Sequence, residues 1–359
     1  MRTIDWVDGA IEIVDQTRLP GELAVRRLTG VTDLVAAIRS LAVRGAPALG
    51  VAGALGVALA AREFRDDPPA RAAAVRQLAA ARPTAVNLAT GVARAALRLT
   101  DGPEAVLTAA LAVRDEEIAS SRAMAVRGAD LVTGWCGASP RLLTHCNTGG
   151  LATVTGGTAL AVVSELHRRG RLGAVTVSET RPLLQGSRLT AWELAREGVP
   201  YRVAVDGAGP YLMARGGVDA VILGADRICA NGDVVNKIGT YAHALGAARA
   251  GIPFIVVAPE STIDESTPDG GSVRIEDRGA AEVLSVRGVT VAPAGADAVN
   301  PAFDVTPHDL VTAIVTEARV LVPARGHAPA RGQAPARGLA PARGPAPGNP
   351  DIPDHVRPL

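Results

Sequence analysis

The sequence predicts an α/β protein: a Rossmann-like parallel-sheet domain preceded by a small, mostly helical N-terminal domain. Three observations predict it. Between residues 141 and 291 short apolar runs alternate with helical stretches, the pattern of βαβ units. Those runs are continuously apolar rather than alternating, as strands covered on both faces are. Before residue 120 the chain is Ala-rich, with apolar residues at helical spacing and little strand signal.

Taken in order, residues 11–14 read as a short strand. Helices are expected over residues 32–41, 45–61, 70–81 and 87–99, and a long connecting helix over 103–125. Strands are expected over 142–146, 174–178, 202–205, 220–223, 254–258 and 289–292, each followed by Gly, Pro, Asn or Asp. The expected domains are 1–120 (helical, with the linker helix) and 121–322 (catalytic). The remainder, 323–359, repeats Pro-Ala-Arg-Gly four times and is expected to be a disordered tail, because repeated Pro and Gly cannot bury a core.

Composition narrows the function classes. The 359 residues carry 37 basic and 36 acidic side chains, a net charge of +1. Nucleic-acid binding relies on clustered positive charge, which this balance does not offer. No apolar stretch reaches the ~18 residues of a membrane span. The first residues include Asp5 and Asp8 and show no apolar signal core. Three cysteines, Cys136, Cys146 and Cys229, are too few for a disulfide framework. The expectation is a cytoplasmic protein with reduced thiols, no nucleic-acid partner and no membrane.

Ligands of an open parallel sheet bind beyond the carboxyl ends of its strands, so the residues after each run matter most. His-Cys-Asn-Thr-Gly-Gly-Leu-Ala-Thr spans 145–153. Read as a strand, a Gly-rich turn and a helix, it offers backbone N–H groups to an anion and a field that lowers a thiol pKa. Cys146 is a candidate nucleophile or base; a buried inert thiol is the alternative. Asp226 follows the wholly apolar run 220–223. There, desolvation would raise its pKa and suit it to general-acid work; capping a helix or pairing with Arg227 are the alternatives. Arg44-Gly45-Ala46-Pro47 puts an arginine fork before a Pro at a helix start, which reads as a phosphate clamp or as a simple cap. Lys237 is the sole lysine beside 36 arginines, a hint that a compact ammonium is needed there. Cys136 and Cys229 read as packing residues, and His167, His243 and His308 as surface or core residues. No spacing matches a zinc site, a dinucleotide fingerprint or a P-loop.

Seven segments together resemble the methylthioribose-1-phosphate isomerase family, within the superfamily that includes the regulatory subunits of a eukaryotic translation-initiation exchange factor. They are RGAPALG (44–50), PTAVNLATGVAR (83–94), HCNTGGLAT (145–153), ETRPLLQGSRLTAWEL (179–194), GADRICANGDVVNKIGTYAHALG (224–246), PESTID (259–264) and NPAFDVTPHDLVTAIVTE (300–317). The resemblance implies isomerisation of 5-methylthioribose 1-phosphate to 5-methylthioribulose 1-phosphate in methionine salvage. It implies Cys146 and Asp226 as the catalytic pair, with Arg44, Gly45, Ala46, Arg94, Gln185, Asn236 and Lys237 contacting substrate. It further implies a homodimer with no metal or organic cofactor. Two positions depart from the family: Thr90 stands where it has Trp, and Gly149-Gly150 where it has Gly-Ala. Thr90 is expected to widen the pocket. That leaves 5-deoxyribose 1-phosphate or ribose 1,5-bisphosphate as alternative substrates, and a non-catalytic regulatory subunit as the alternative of another class.

Overall fold

The computed structural model describes residues 1–82 and 86–323; the tail expected to be disordered lies outside the described residues apart from Pro323. The chain begins with a three-stranded antiparallel meander, β1 (Ile4–Val7), β2 (Ala10–Val14) and β3 (Val25–Leu28). Only the middle strand was legible in the sequence. β3 reads Val-Arg-Arg-Leu, and its charge hides the strand; Arg27 lies opposite Glu12 and pairs with it at 3.1 Å.

Four helices follow: α1 (Val31–Arg39), α2 (Ala46–Glu63), α3 (Pro68–Ala79) and α4 (Val86–Ala96). By length and composition α2 could cross a membrane, but 83% of it is buried inside the protein. Small residues let its neighbours close in. A Cβ on Gly91 of α4 would come within 1.9 Å of the Gly50 carbonyl oxygen of α2. Then α5 (Pro103–Cys136) runs for 34 residues, past the expected end at 125. Its Val106 and Ala110 belong to the N-terminal core, and its Met124, Ala129 and Val132 to the next one. One rigid helix therefore joins the two cores.

The rest is built on β4 (Arg141–Thr144), α6 (Ala159–Arg168), β5 (Ala174–Ser178), α7 (Ala191–Glu197), β6 (Tyr201–Ala204), α8 (Ala208–Ala214) and β7 (Ala220–Leu223). It continues through β8 (Arg227–Cys229), β9 (Val234–Lys237), α9 (Thr240–Ala250), β10 (Phe254–Val257), β11 (Ile263–Asp264), α10 (Ala281–Leu284), β12 (Ser285–Val286), β13 (Val289–Thr290), β14 (Phe303–Thr306), β15 (Ala313–Val315) and β16 (Val320–Leu321). The seven-stranded sheet has the order β16-β15-β10-β7-β4-β5-β6 and is parallel except for β16. A smaller sheet, β11-β8-β9-β14, stands beside it.

Five of the six expected runs form strands of the large sheet. The run at 289–292 does not. β13 pairs only with β12 in a hairpin, and Val289 and Val291 are exposed, so that run has no second face to bury. β15, three residues long, takes the place instead, fully buried beside β10.

Strand order fixes where a ligand belongs. From β4 the chain adds β5 and β6 on one side. It then returns to β7 on the other side of β4 and continues to β10 and β15. The order reverses between β4 and β7, and a crevice opens outside the carboxyl ends of strands at such a switch point.

Candidate active site

Cys146 follows β4 and Asp226 follows β7, so the two leave the carboxyl ends of adjacent strands at the switch point. Cys146 is held in the left-handed region at φ 61°, a conformation that costs a non-glycine residue about 1 kcal/mol or more. Side chains after β5 hold it there. Its N–H donates to Thr180 Oγ1 at 2.9 Å, and its carbonyl accepts from Thr190 Oγ1 at 2.7 Å. Asp206 fastens that second turn by accepting the N–H groups of Thr180 and Arg181, each at 2.7 Å.

The Gly-rich turn differs from the expected strand–turn–helix. After β4 comes a single 3₁₀ turn at Gly150–Ala152, and α6 begins only at Ala159. The helix that follows in sequence therefore does not start at the thiol. Burial pushes the Cys146 pKa up, and Asp226 adds to that; Arg44, Lys237 and the Asn147 N–H pull against it. The thiol is therefore protonated near neutral pH, the reverse of the expectation.

Asp226 opens into a cavity of about 270 Å³. Its backbone N–H is tied to the Val235 carbonyl at 3.0 Å. Burial raises the carboxyl pKa, while Lys237, Arg82 and Arg44 pull it down. Arg82, Arg227 and Arg274 line the cavity together with the apolar Leu49, Val273, Ile275 and Phe303. Cys146 does not line this cavity, but it shares its field: Arg44 and Lys237 act on both the thiol and the carboxyl.

Lys237 is buried on β9 and donates to the Ala302 carbonyl at 2.8 Å, with its ammonium 5.0 Å from the Phe303 ring centre. Burial lowers its pKa, and Cys146 and Asp226 oppose that. The neighbouring Asn236 Nδ2 donates to Thr240 Oγ1 at 2.9 Å. Gly45, at φ 97°, starts α2 so close to Ala152 that a Cβ would come within 2.4 Å of its carbonyl oxygen. Ala46 then lines the cavity, and Arg44 reaches Asn147 beside the thiol. Gln185 is buried at the start of the π-turn Gly186–Thr190; its Oε1 has no hydrogen-bond partner among the described residues. The turn around it packs on Ser178 and Thr180.

Arg94 is not brought to this site. It lines a second cavity with Thr90, Asn87, Glu116 and Glu117, and pairs with Glu116 at 2.7 Å. Thr90 donates to the Val86 carbonyl at 3.1 Å and does not line the cavity of Asp226, so it does not widen that cavity. The arginine that does face Asp226 is Arg82. Sequence reasoning missed it; Arg82 lies one residue before the segment 83–94. Asp304 was also missed: it accepts the Gly239 and Tyr241 N–H groups at 2.7 and 3.1 Å and so holds the start of α9 just after Lys237.

Cys136 and Cys229 carry raised pKa values of about 12 and about 11 through burial and act as packing residues. His243 packs edge-to-face on His145 with ring centres 5.0 Å apart, and burial keeps both uncharged, at about 3 and about 4. Among the described residues no three His, Cys, Asp or Glu side chains gather as metal ligands.

A sequence profile of the Initiation factor 2 subunit family matches residues 42–323. A probable bifunctional methylthioribose-1-phosphate isomerase/methylthioribulose-1-phosphate dehydratase of Nocardia farcinica is 52% identical over 89% of this chain; the chain spans 60% of that longer relative. The methylthioribose-1-phosphate isomerase of an Anaeromyxobacter species is 49% identical, covering 89% of this chain and 94% of its own length. The 5-deoxyribose 1-phosphate isomerase of Moorella thermoacetica is 48% identical, with coverages of 89% and 94%. Among solved structures, 5-methylthioribose 1-phosphate isomerase of Pyrococcus horikoshii superposes with a TM-score of 0.82 at 39% identity, covering 90% of this chain and 92% of that one.

Proposed function

The chain belongs to the Initiation factor 2 subunit family, and on that premise we propose that it is an aldose–ketose isomerase converting 5-methylthioribose 1-phosphate to 5-methylthioribulose 1-phosphate in methionine salvage. The observation that carries this reading is the pair at the switch point. A carboxyl biased towards its protonated form and a neutral thiol lie in one field set by Arg44 and Lys237.

The chemistry needs such a pair. The 1-phosphate blocks the anomeric oxygen, so the furanose opens only if its ring oxygen is protonated as the C1–O bond breaks. Asp226 supplies that proton. A hydride then moves from C2 to the cationic C1, and the C2 hydroxyl becomes the ketone as its proton returns to the Asp226 carboxylate. Cys146 takes no proton in this route, which suits a thiol held neutral; it walls off the cation from water. Arg44, Arg82 and Lys237 hold the phosphate, with Asn236 and Gln185 at the sugar. The apolar wall of Leu49, Val273, Ile275 and Phe303 takes the methylthio group. In this reading the enzyme is a cytoplasmic homodimer that needs neither metal nor organic cofactor.

A second reading, 5-deoxyribose 1-phosphate as substrate, is favoured by that same wall, which would accept a methyl as it accepts a methylthio group. A second phosphate at C5 fits it poorly. A purely regulatory role would leave the carboxyl–thiol pair without a use.

The test is a turnover assay of the full chain with each sugar phosphate, with the preferred one repeated in D₂O. The expected result is the highest kcat/KM with 5-methylthioribose 1-phosphate and ketose free of deuterium at C1. No turnover of any of them overturns the isomerase reading; deuterium at C1 replaces the hydride step by proton transfer.

A further inference from the structure

Arg44 is held by a chain of buried groups that ends on α7. Its Nη1 donates to Asn147 Oδ1 at 2.7 Å and its Nη2 to the Asn147 carbonyl at 2.8 Å. Two bonds to one residue fix the plane of the guanidinium. Asn147 is fixed in turn, because its Nδ2 donates to Glu193 Oε1 at 2.6 Å and to Thr190 Oγ1 at 3.2 Å. With its amide nitrogen drawn to Glu193, the amide oxygen must face Arg44. Glu193 Oε2 accepts the Leu151 N–H at 3.2 Å, so both carboxylate oxygens receive a donor from the turn that carries Cys146.

The turn is shaped around this carboxylate. A Cβ on Gly149 would come within 2.3 Å of Glu193 Oε1, and one on Gly150 within 3.2 Å of Oε2. Gly149 is what lets the acid approach. Glu193 is buried on α7. Burying an unpaired carboxylate is costly, and an amide or an apolar side chain could fill the same space. Packing alone does not call for a charge here.

We propose that Glu193 is a positioning residue: through Asn147 it sets the orientation of the Arg44 guanidinium and so the strength of the phosphate clamp. The proposal rests on the isomerase reading for the identity of the substrate, but not for the anion site. It makes the clamp sensitive to protons. Burial pushes Glu193 up to about 7 and Glu197 adds to this; the Asn147 and Leu151 bonds and Arg44 oppose it. Arg44 and Glu197 are the charged groups that bear on it. Above that pH the carboxylate holds the Asn147 amide nitrogen. Below it the carboxyl can donate, the amide can turn, and its N–H groups then meet the guanidinium.

Sulfate tests this, because it stays a dianion across the range. With the full chain, calorimetry is expected to show sulfate binding about threefold more weakly at pH 6 than at pH 8. The ordinary trend, in which a protein gaining protons binds anions more tightly, has the opposite sign. Glu193→Gln is expected to raise both the sulfate Kd and the substrate KM about tenfold, with kcat within about threefold, and to flatten the pH dependence. A residue that only supports the fold would lower Tm and the active fraction and leave Kd and KM in place; that outcome overturns the proposal. If Glu193→Gln does not fold, the wild-type profile decides, and sulfate binding that is level or tighter at pH 6 overturns it. A wild-type protein that binds sulfate as described yet turns over no sugar phosphate overturns the isomerase reading and leaves the positioning role standing.

Discussion

Two cavities flank the first turn of α2, and they differ in the sign of the charge around them. Ala46 and Leu49 face one; Pro47, Gly50 and Val51 face the other. The first gathers Arg82, Arg227 and Arg274 around Asp226, with Arg44 and Lys237 within electrostatic reach. The second gathers Glu116, Glu117 and Glu317 around Arg94. Each holds an arginine from the same stretch of chain. Arg82 faces a carboxyl that its own burial biases towards neutrality, and its ion pair with Glu276 is long, at 3.9 Å, so positive charge is left over for a phosphate. Arg94 is taken by Glu116 at 2.7 Å, and Glu317, whose charge already helps to keep Glu117 protonated, would repel an anion. An arginine becomes a phosphate ligand through the charge balance of its cavity, and that balance is a property of the fold.

The comparison is broken most severely by removing the acid from the first cavity. Asp226→Asn is expected to lower kcat about 10³-fold while changing KM by less than about threefold, since general-acid catalysis acts in the transition state. Stopped assays over a range of substrate concentrations check it; near-normal turnover would refute the assignment of the acid. The next effect separates the two arginines. Losing a charge-assisted bond to phosphate should make Arg82→Ala raise KM about 10–100-fold, while Arg94→Ala stays within about twofold. Steady-state kinetics of both variants side by side decide the matter, and the reverse ranking would return the substrate to the second cavity.

The same pair of arginines shows how far the sequence could be read. The parallel sheet was legible because apolar runs such as Ala220–Leu223 can only be strands buried on both faces. The polar residues after those runs marked the ligand-binding end of the sheet, but it is the strand order, with β4 beside β7, that puts Cys146 and Asp226 at neighbouring strand ends. β15 was not legible: three residues are too few to carry a period, and only its neighbour β10 makes Ala313–Val315 a strand. Nor could motif spacing choose between Arg82 and Arg94. That choice depends on which cavity each side chain lines once α4 has packed on α2, where Gly91 approaches Gly50. The sign of the Cys146 pKa was missed for a related reason. The residues that follow the turn look like a helix start, but Glu193 and Thr190 pull the turn into another shape.

The smallest effect lies in the acidic cavity and reads its electrostatics without any substrate. Burial pushes Glu117 up to about 8, and the nearby Glu317 adds to this. Glu117 Oε1 has no hydrogen-bond partner among the described residues, so that oxygen has no donor to stabilise a charge. The folded protein keeps this proton up to about pH 8, whereas the unfolded chain releases it near the ordinary value of 4.5. Between those two pH values the folded state binds more protons than the unfolded one, so stability falls as pH rises through that window. The full penalty is present above it and absent below about pH 4.5. Once screening by the open cavity is allowed for, the penalty is about 1–2 kcal/mol. Glu117→Gln removes the titration and keeps the shape. It is expected to raise Tm by about 2–3 °C at pH 8.5 and to leave it within about 1 °C of wild type at pH 5. Thermal melts at the two pH values measure the difference. An equal shift at both would mean that Glu117 does not change charge between the two pH values, and the proton that burial assigns to it would have to be given up.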